Sequence, residues 1–261
     1  MIGELWNELR RRNRLLAIAT AVHLLLFIAL LVASFIDPMQ ILGVSRWIKP
    51  MKFAISIAIF LGTMGWLLSY LPNCSRGVAI ISRIITVSMS LEMILIAMQS
   101  MRGVRSHFNG ETPFNAVVFI TMGVTILINT IATAYAGYLF FRHPATVSGA
   151  YLTGIRLGLI IFVLATFEGG MMAAHGSHGV GVPDGGPGLP LVNWSTQAGD
   201  LRASHFVGMH ALQALPFIGW FLDKRGTQQG RKVVVIASLV WFVVTALLLA
   251  QALAGKPLLA M

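Results

Sequence analysis

Charged residues are scarce in this chain. They make up 11% of 261 residues, against about 25% in soluble domains. Acidic residues are the rarest of them, 9 beside 19 Lys and Arg, while the apolar share rises to 56%. One compact core cannot hide that much apolar surface, which excludes an ordinary soluble globule and leaves lipid to cover the excess. Cysteine is nearly absent too: Cys74 stands alone, so an intrachain disulfide framework is excluded. Familiar site signatures are also missing. There is no P-loop, no H-E-x-x-H, no C-x-x-C-H and no lysine in the last apolar run for a retinal Schiff base. The net charge of +10 does not mark a nucleic-acid binder, because the basic residues sit in short clusters between apolar runs.

Seven apolar runs are present instead: 15–35, 51–71, 78–100, 116–141, 153–174, 203–222 and 233–254. Each comes close to the roughly 20 residues needed to cross the hydrocarbon. Amides deprived of water must bond inside their own segment, so the runs predict helices. The alternating polar positions of a barrel are lacking in stretches such as VVVIASLVWFVVTALLLA. The first run follows Arg10, Arg11, Arg12 and Arg14 as a signal peptide would, but it exceeds a secretory h-region and no A-x-A site follows. It reads as an uncleaved span. The fold class expected is therefore all-α: one transmembrane helical domain over 1–261, a polytopic bundle of about seven helices.

Lys and Arg set the orientation. With the N-terminus cytoplasmic, twelve of them fall inside (Arg10, Arg11, Arg12, Arg14, Arg76, Arg83, Arg142, Arg156, Lys224, Arg225, Arg231, Lys232) and seven outside (Arg46, Lys49, Lys52, Arg102, Arg105, Arg202, Lys256). The bias predicts an inside N-terminus and an outside C-terminus, in a membrane such as the bacterial inner membrane. The lipid bilayer is then the chain's first partner. Arg46, Lys49 and Lys52, spaced by three, predict a basic face on a short interfacial helix that meets anionic headgroups. The segment 175–202 is a long Gly- and Pro-rich outer loop, and Leu189, Val192 and Trp194 predict an ordered cap rather than a spacer.

Polar residues inside the runs ask for a reason, since an ionisable group at the bilayer centre costs about 2.5–3.5 kcal/mol on insertion scales. Glu92 lies about 13 Å below the end of the third run. Ser88, Glu92, Gln99 and Arg102 are spaced to share one helix face. Glu168 and His175 share a face if their helix survives Gly169–Gly170, and His178 follows in the loop. The sixth run brings Arg202, His205, His210 and Gln213, with Pro216 expected to kink it below His210. His23 reads as a core hydrogen-bonder.

From this pattern the first expectation is a metal- or haem-binding membrane enzyme or redox protein. Glu92, Glu168 and His210 would carry the chemistry, the metal ligands would come from Glu92, Glu168, His175, His178, His205 and His210, and Arg102, Arg105, Arg202 and Gln99 would bind substrate or cofactor anions. The cofactor, a metal ion or haem, is not specified by any motif. The alternatives are a proton-coupled transporter or channel, built on the same buried acids, and a non-catalytic assembly protein docking through 175–202. The first two readings require helices three, five and six to turn acids and imidazoles toward common space.

Overall fold

Within lipid each backbone amide has to find its partner in its own segment, and the computed structural model, which describes residues 2–260, is accordingly helical nearly throughout. Six helices are long and apolar enough to cross a membrane: α2 (Arg14–Ile36), α3 (Ile48–Leu68), α4 (Ser75–Met101, with a 3-10 turn at Pro72–Cys74 before it), α5 (Pro113–Arg142), α6 (Gly149–His175) and α8 (Gly230–Leu253). α7 (Leu201–Lys224) has 24 residues, about 36 Å of helix. It is long enough to span, but Arg202, His205, His210 and Gln213 dilute its apolar character. The chain is thus a multi-pass helical membrane protein. It divides into two compact units, Met1–Ala136 and Gly137–Met261, described in turn.

In the first unit α2, α3 and α4 pack on one another around Leu16, Leu61, Leu68, Ile81 and Ile85. α1 (Ile2–Arg12) precedes them. Asn13 separates α1 from α2 with an extended backbone, and its side chain caps α2 by accepting from Leu16 N at 3.1 Å. Gly65 of α3 makes room for this corner: a Cβ there would lie 3.2 Å from Leu9 Cδ1 and 3.1 Å from Leu16 Cβ. His23 is buried and bonds Ala19 O through Nδ1, as a core histidine should. The basic triplet does not form its own interfacial helix. A hairpin of β1 (Gln40–Ile41) and β2 (Val44–Ser45) turns through Leu42 and Gly43, both with positive φ, and Arg46 follows it. α3 already begins at Ile48, so Lys49 and Lys52 stand in its first turns. Asp37 organises this end by accepting from Arg46 and from Trp47 Nε1, the latter at 2.8 Å.

In the second unit α6, α7 and α8 pack together, α6 against α7 most closely. Glycine permits it. A Cβ on Gly154 would lie 2.3 Å from Leu215 O, and one on Gly219 would lie 2.3 Å from Ala150 O, so the two backbones touch along the contact. α7 runs unbroken through Pro216, which is buried against this seam. α6 likewise continues through Gly169–Gly170 to His175. Its start is capped from α7: Asp223 accepts from Ala150 N at 3.0 Å and Tyr151 N at 2.8 Å. Gly149, at φ 67°, is required there, since a Cβ would stand 2.8 Å from that carboxylate. The connection from α6 to α7 is tied internally, with β3 (Gly179–Val180) paired to β4 (Gly199–Asp200) and Gly188 bridged to Ser195.

Candidate functional site

The polar stripe of α4 is real and buried. Ser88, Glu92 and Gln99 all lie below 5% exposure. At its loop end Gln99 Nε2 donates to Asn115 Oδ1 at 3.1 Å, and Arg102 donates to Gln99 Oε1 and to Asn115 Oδ1. Arg102 also lies over the Phe114 ring. These contacts fasten α4 to the start of α5, so Gln99 and Arg102 are occupied by protein groups.

Glu92 is different. It is 1% exposed, and neither carboxylate oxygen has a hydrogen-bond partner. His107 faces it, with Nε2 3.7 Å from Oε1. That is an ion-pair distance, too long for a hydrogen bond. The imidazole comes from the loop between α4 and α5. Ser106, itself buried, sits 3.1 Å from His107 Nδ1, and Phe53, Phe108 and Phe119 surround the ring at centroid distances of 5.7–6.1 Å. The loop is held to this shape. Asn109 Nδ2 donates to Arg105 O at 2.9 Å, and Phe108 adopts φ 54°, a left-handed conformation that costs a side-chain-bearing residue energy. Lys49, one turn before Phe53 on α3, acts on Glu92 through its charge. Arg105 pairs instead with exposed Glu111 at 3.2 Å.

Two further buried oxygens lack partners among the described residues, Thr86 Oγ1 and Asn129 Oδ1, and both lie on α4 and α5 within the first unit. Most helical Ser and Thr here bond back to their own helix, as Ser82, Ser88, Thr121 and Thr125 do; Thr86 does not. Measured from the Gln99–Asn115 bond, Thr86 is about 20 Å down α4 and Asn129 about 21 Å down α5. Thr86 lies roughly 9 Å beyond Glu92 along α4.

In the second unit Glu168 is also buried, but it is satisfied: Ser204 Oγ donates to Oε2 at 2.6 Å. His205 Nδ1 reaches Ala165 O of α6 at 2.8 Å. Glu168 and the start of α7 are thus brought together. The other nominated histidines have local partners. His175 Nε2 lies 3.2 Å from Gly179 O, His210 Nδ1 bonds Phe206 O and stacks on the Phe206 ring, and His178 pairs with Asp184 at 2.9 Å. Arg202 bonds Asp200 and Asn193 O, bracing the loop. Asp184 is that loop's hub. Burial works against its charge, but bonds from His178, Ser177 and Gly179 N, with the charge of His178, outweigh burial and hold its pKa below the usual carboxylate range.

Among the described residues no three His, Cys, Asp or Glu side chains gather as a metal-holding group. Of the residues that matter most, His107 and Asn115 are absent from the set nominated by sequence. Both carry a signal in hindsight: each is a polar residue within one loop of the buried acid's helix. No protein-family model, curated protein or solved structure matches the chain.

Proposed function

We propose that the protein is a proton-coupled transporter or channel, with Glu92 as its membrane-embedded proton-binding group and His107 as the loop residue that exchanges protons with it. One observation carries the reading: a fully buried carboxylate without a hydrogen-bond donor, facing a single imidazole from a loop. An unpaired ion in such a place is costly. The carboxylate has to be neutralised or paired, by a proton of its own, by the imidazolium of His107 or by the charge of Lys49. Shifting one proton from His107 Nε2 to Glu92 Oε1 exchanges the first two of these states and leaves both groups neutral. The gap must close by about 1 Å for the transfer, which movement of the loop would supply. Ser106 at Nδ1 fixes the ring orientation.

One carboxylate and one imidazole suit proton exchange better than metal catalysis, where zinc sites commonly use three protein ligands. The test is proton flux into reconstituted vesicles under an imposed membrane potential. Wild-type protein should carry protons, Glu92→Gln should lose at least about tenfold of that flux, and Glu168→Gln should keep it, because Glu168 already has its donor. Unchanged flux in Glu92→Gln would overturn the reading. So would a Soret band or stoichiometric metal in the purified protein that disappears in that variant, which would favour the metal- or haem-binding enzyme.

A further inference from the structure

Six arginines crowd the α1–α2–α4 end of the first unit, and they are not equivalent. Arg11 and Arg12 both bond Glu8, and Arg12 lies over the Trp66 and Tyr70 rings while donating to Ser69 Oγ. Those two are structural. Arg10, Arg14, Arg76 and Arg83 are exposed and have no partner among the described residues.

The fold sets these four in two groups around one joint. Asn13 Nδ2 donates to Ser82 Oγ at 2.8 Å, locking the start of α2 to α4. Arg14 follows Asn13 and Arg83 follows Ser82, so the backbones of both exposed arginines lie next to that bond. Arg10 stands near the end of α1, on the other side of the α1–α2 corner from Arg14. Arg76 stands two turns before Arg83 on the same face of α4. Beyond Arg14 and Arg83 the exposed side chains become apolar: Leu15, Ile18 and Val22 on α2, and Val87 on α4, with Ile80 between Arg76 and Arg83. A cluster of unpaired cations opening onto an apolar track has the shape of a phospholipid, with an anionic head followed by acyl chains. Guanidinium groups bind phosphate oxygens bidentately, which a diffuse layer of lysines would not do.

We infer that the α1–α2–α4 corner is a binding site for an anionic phospholipid, its phosphate held by Arg14 and Arg83, with Arg10 and Arg76 beside them and its chains lying along Ile18, Val22 and Val87. The site does not depend on the proton-binding reading.

The test is lipid retention measured by native mass spectrometry on full-length protein exchanged into mixed zwitterionic and anionic phospholipid, alongside thermal stability with each lipid added back. Wild-type protein should retain anionic lipid in preference to zwitterionic lipid. The double variant Arg14→Gln, Arg83→Gln should bind it about thirtyfold more weakly, two surface cations being removed. Arg14→Lys with Arg83→Lys should recover part of the loss, and Arg142→Gln, an exposed arginine elsewhere, should change nothing. Equal retention of the two lipid classes would overturn the inference, as would the same loss in Arg142→Gln. Stabilisation by inorganic phosphate matching that by lipid would also overturn it, by assigning the arginines to a free anion. If the Gln double variant fails to fold, retention by the Lys double variant decides: preference for anionic lipid supports the site, and its absence refutes it.

Discussion

At the scale of single residues, partnerless oxygens and crowded acceptors behave in opposite ways when they are replaced. Thr86 Oγ1 is buried without a bond, so Thr86→Val removes an unsatisfied group, and thermal stability should hold or rise by up to about 1 kcal/mol. If the oxygen belongs to a proton path, the same variant slows flux in vesicles, and a fall in flux without a fall in stability separates path from packing. Asp184 is the reverse case. It accepts from Ser177, His178 and Gly179, so Asp184→Asn should loosen residues 177–186 by about 2 kcal/mol, seen as faster amide exchange confined to that stretch. The pH dependence has a definite sign. Because the folded-state pKa of Asp184 is depressed, its contribution is fully present above the ordinary carboxylate value of about 3.9 and fades as pH falls below it toward the folded value. Amide protection of the loop should therefore fall on acidification below that value, and Asp184→Asn should remove that acid-side fall.

At the scale of elements, the seam between α6 and α7 is made by missing side chains. Gly154→Ala forces a Cβ toward Leu215 O, already 2.3 Å from that position, and should cost about 3 kcal/mol by overpacking. Gly170→Ala on the same helix meets nothing within 4 Å and should be neutral or stabilising by up to about 1 kcal/mol, as expected for glycine to alanine in a helix. Thermal unfolding in detergent distinguishes the two, and equal effects would show that the seam is not rigid. Helix continuity through Gly169–Gly170, left conditional by the sequence, is given by the structure, in which α6 runs on to His175. The interfacial helix at Arg46–Lys52 was misread because a spacing of three fits the opening turns of a long helix as well as a short one, and the turn at Leu42–Gly43 gave no strong hairpin signal.

At the scale of the whole molecule, the number of crossings decides which side each terminus occupies. Six helices are apolar enough by themselves, and α7 has the length but a polar make-up. If α7 crosses with the others, the count is odd and the ends lie on opposite sides. In a Cys74→Ser background, Gly3→Cys and Leu259→Cys should then react with an impermeant maleimide from opposite faces of sealed vesicles. Labelling of both from one face would put α7 outside the bilayer.

The sequence alone determined that this is a helical membrane protein. Span length and apolar content are local properties that lipid reads directly, and a lone acid in such a run, Glu92, is conspicuous for the same reason. The partners of the polar groups were decided by tertiary structure. His107 returns to Glu92 from fifteen residues away, Ser204 satisfies Glu168 across 36 residues, and Asp223 caps the start of α6 from 73 residues along the chain. Whether a buried carboxylate is left without a donor or supplied with one depends on which helix lies beside it. Helix pairing is set by the summed packing of whole faces, which the spacing of residues along one helix does not contain.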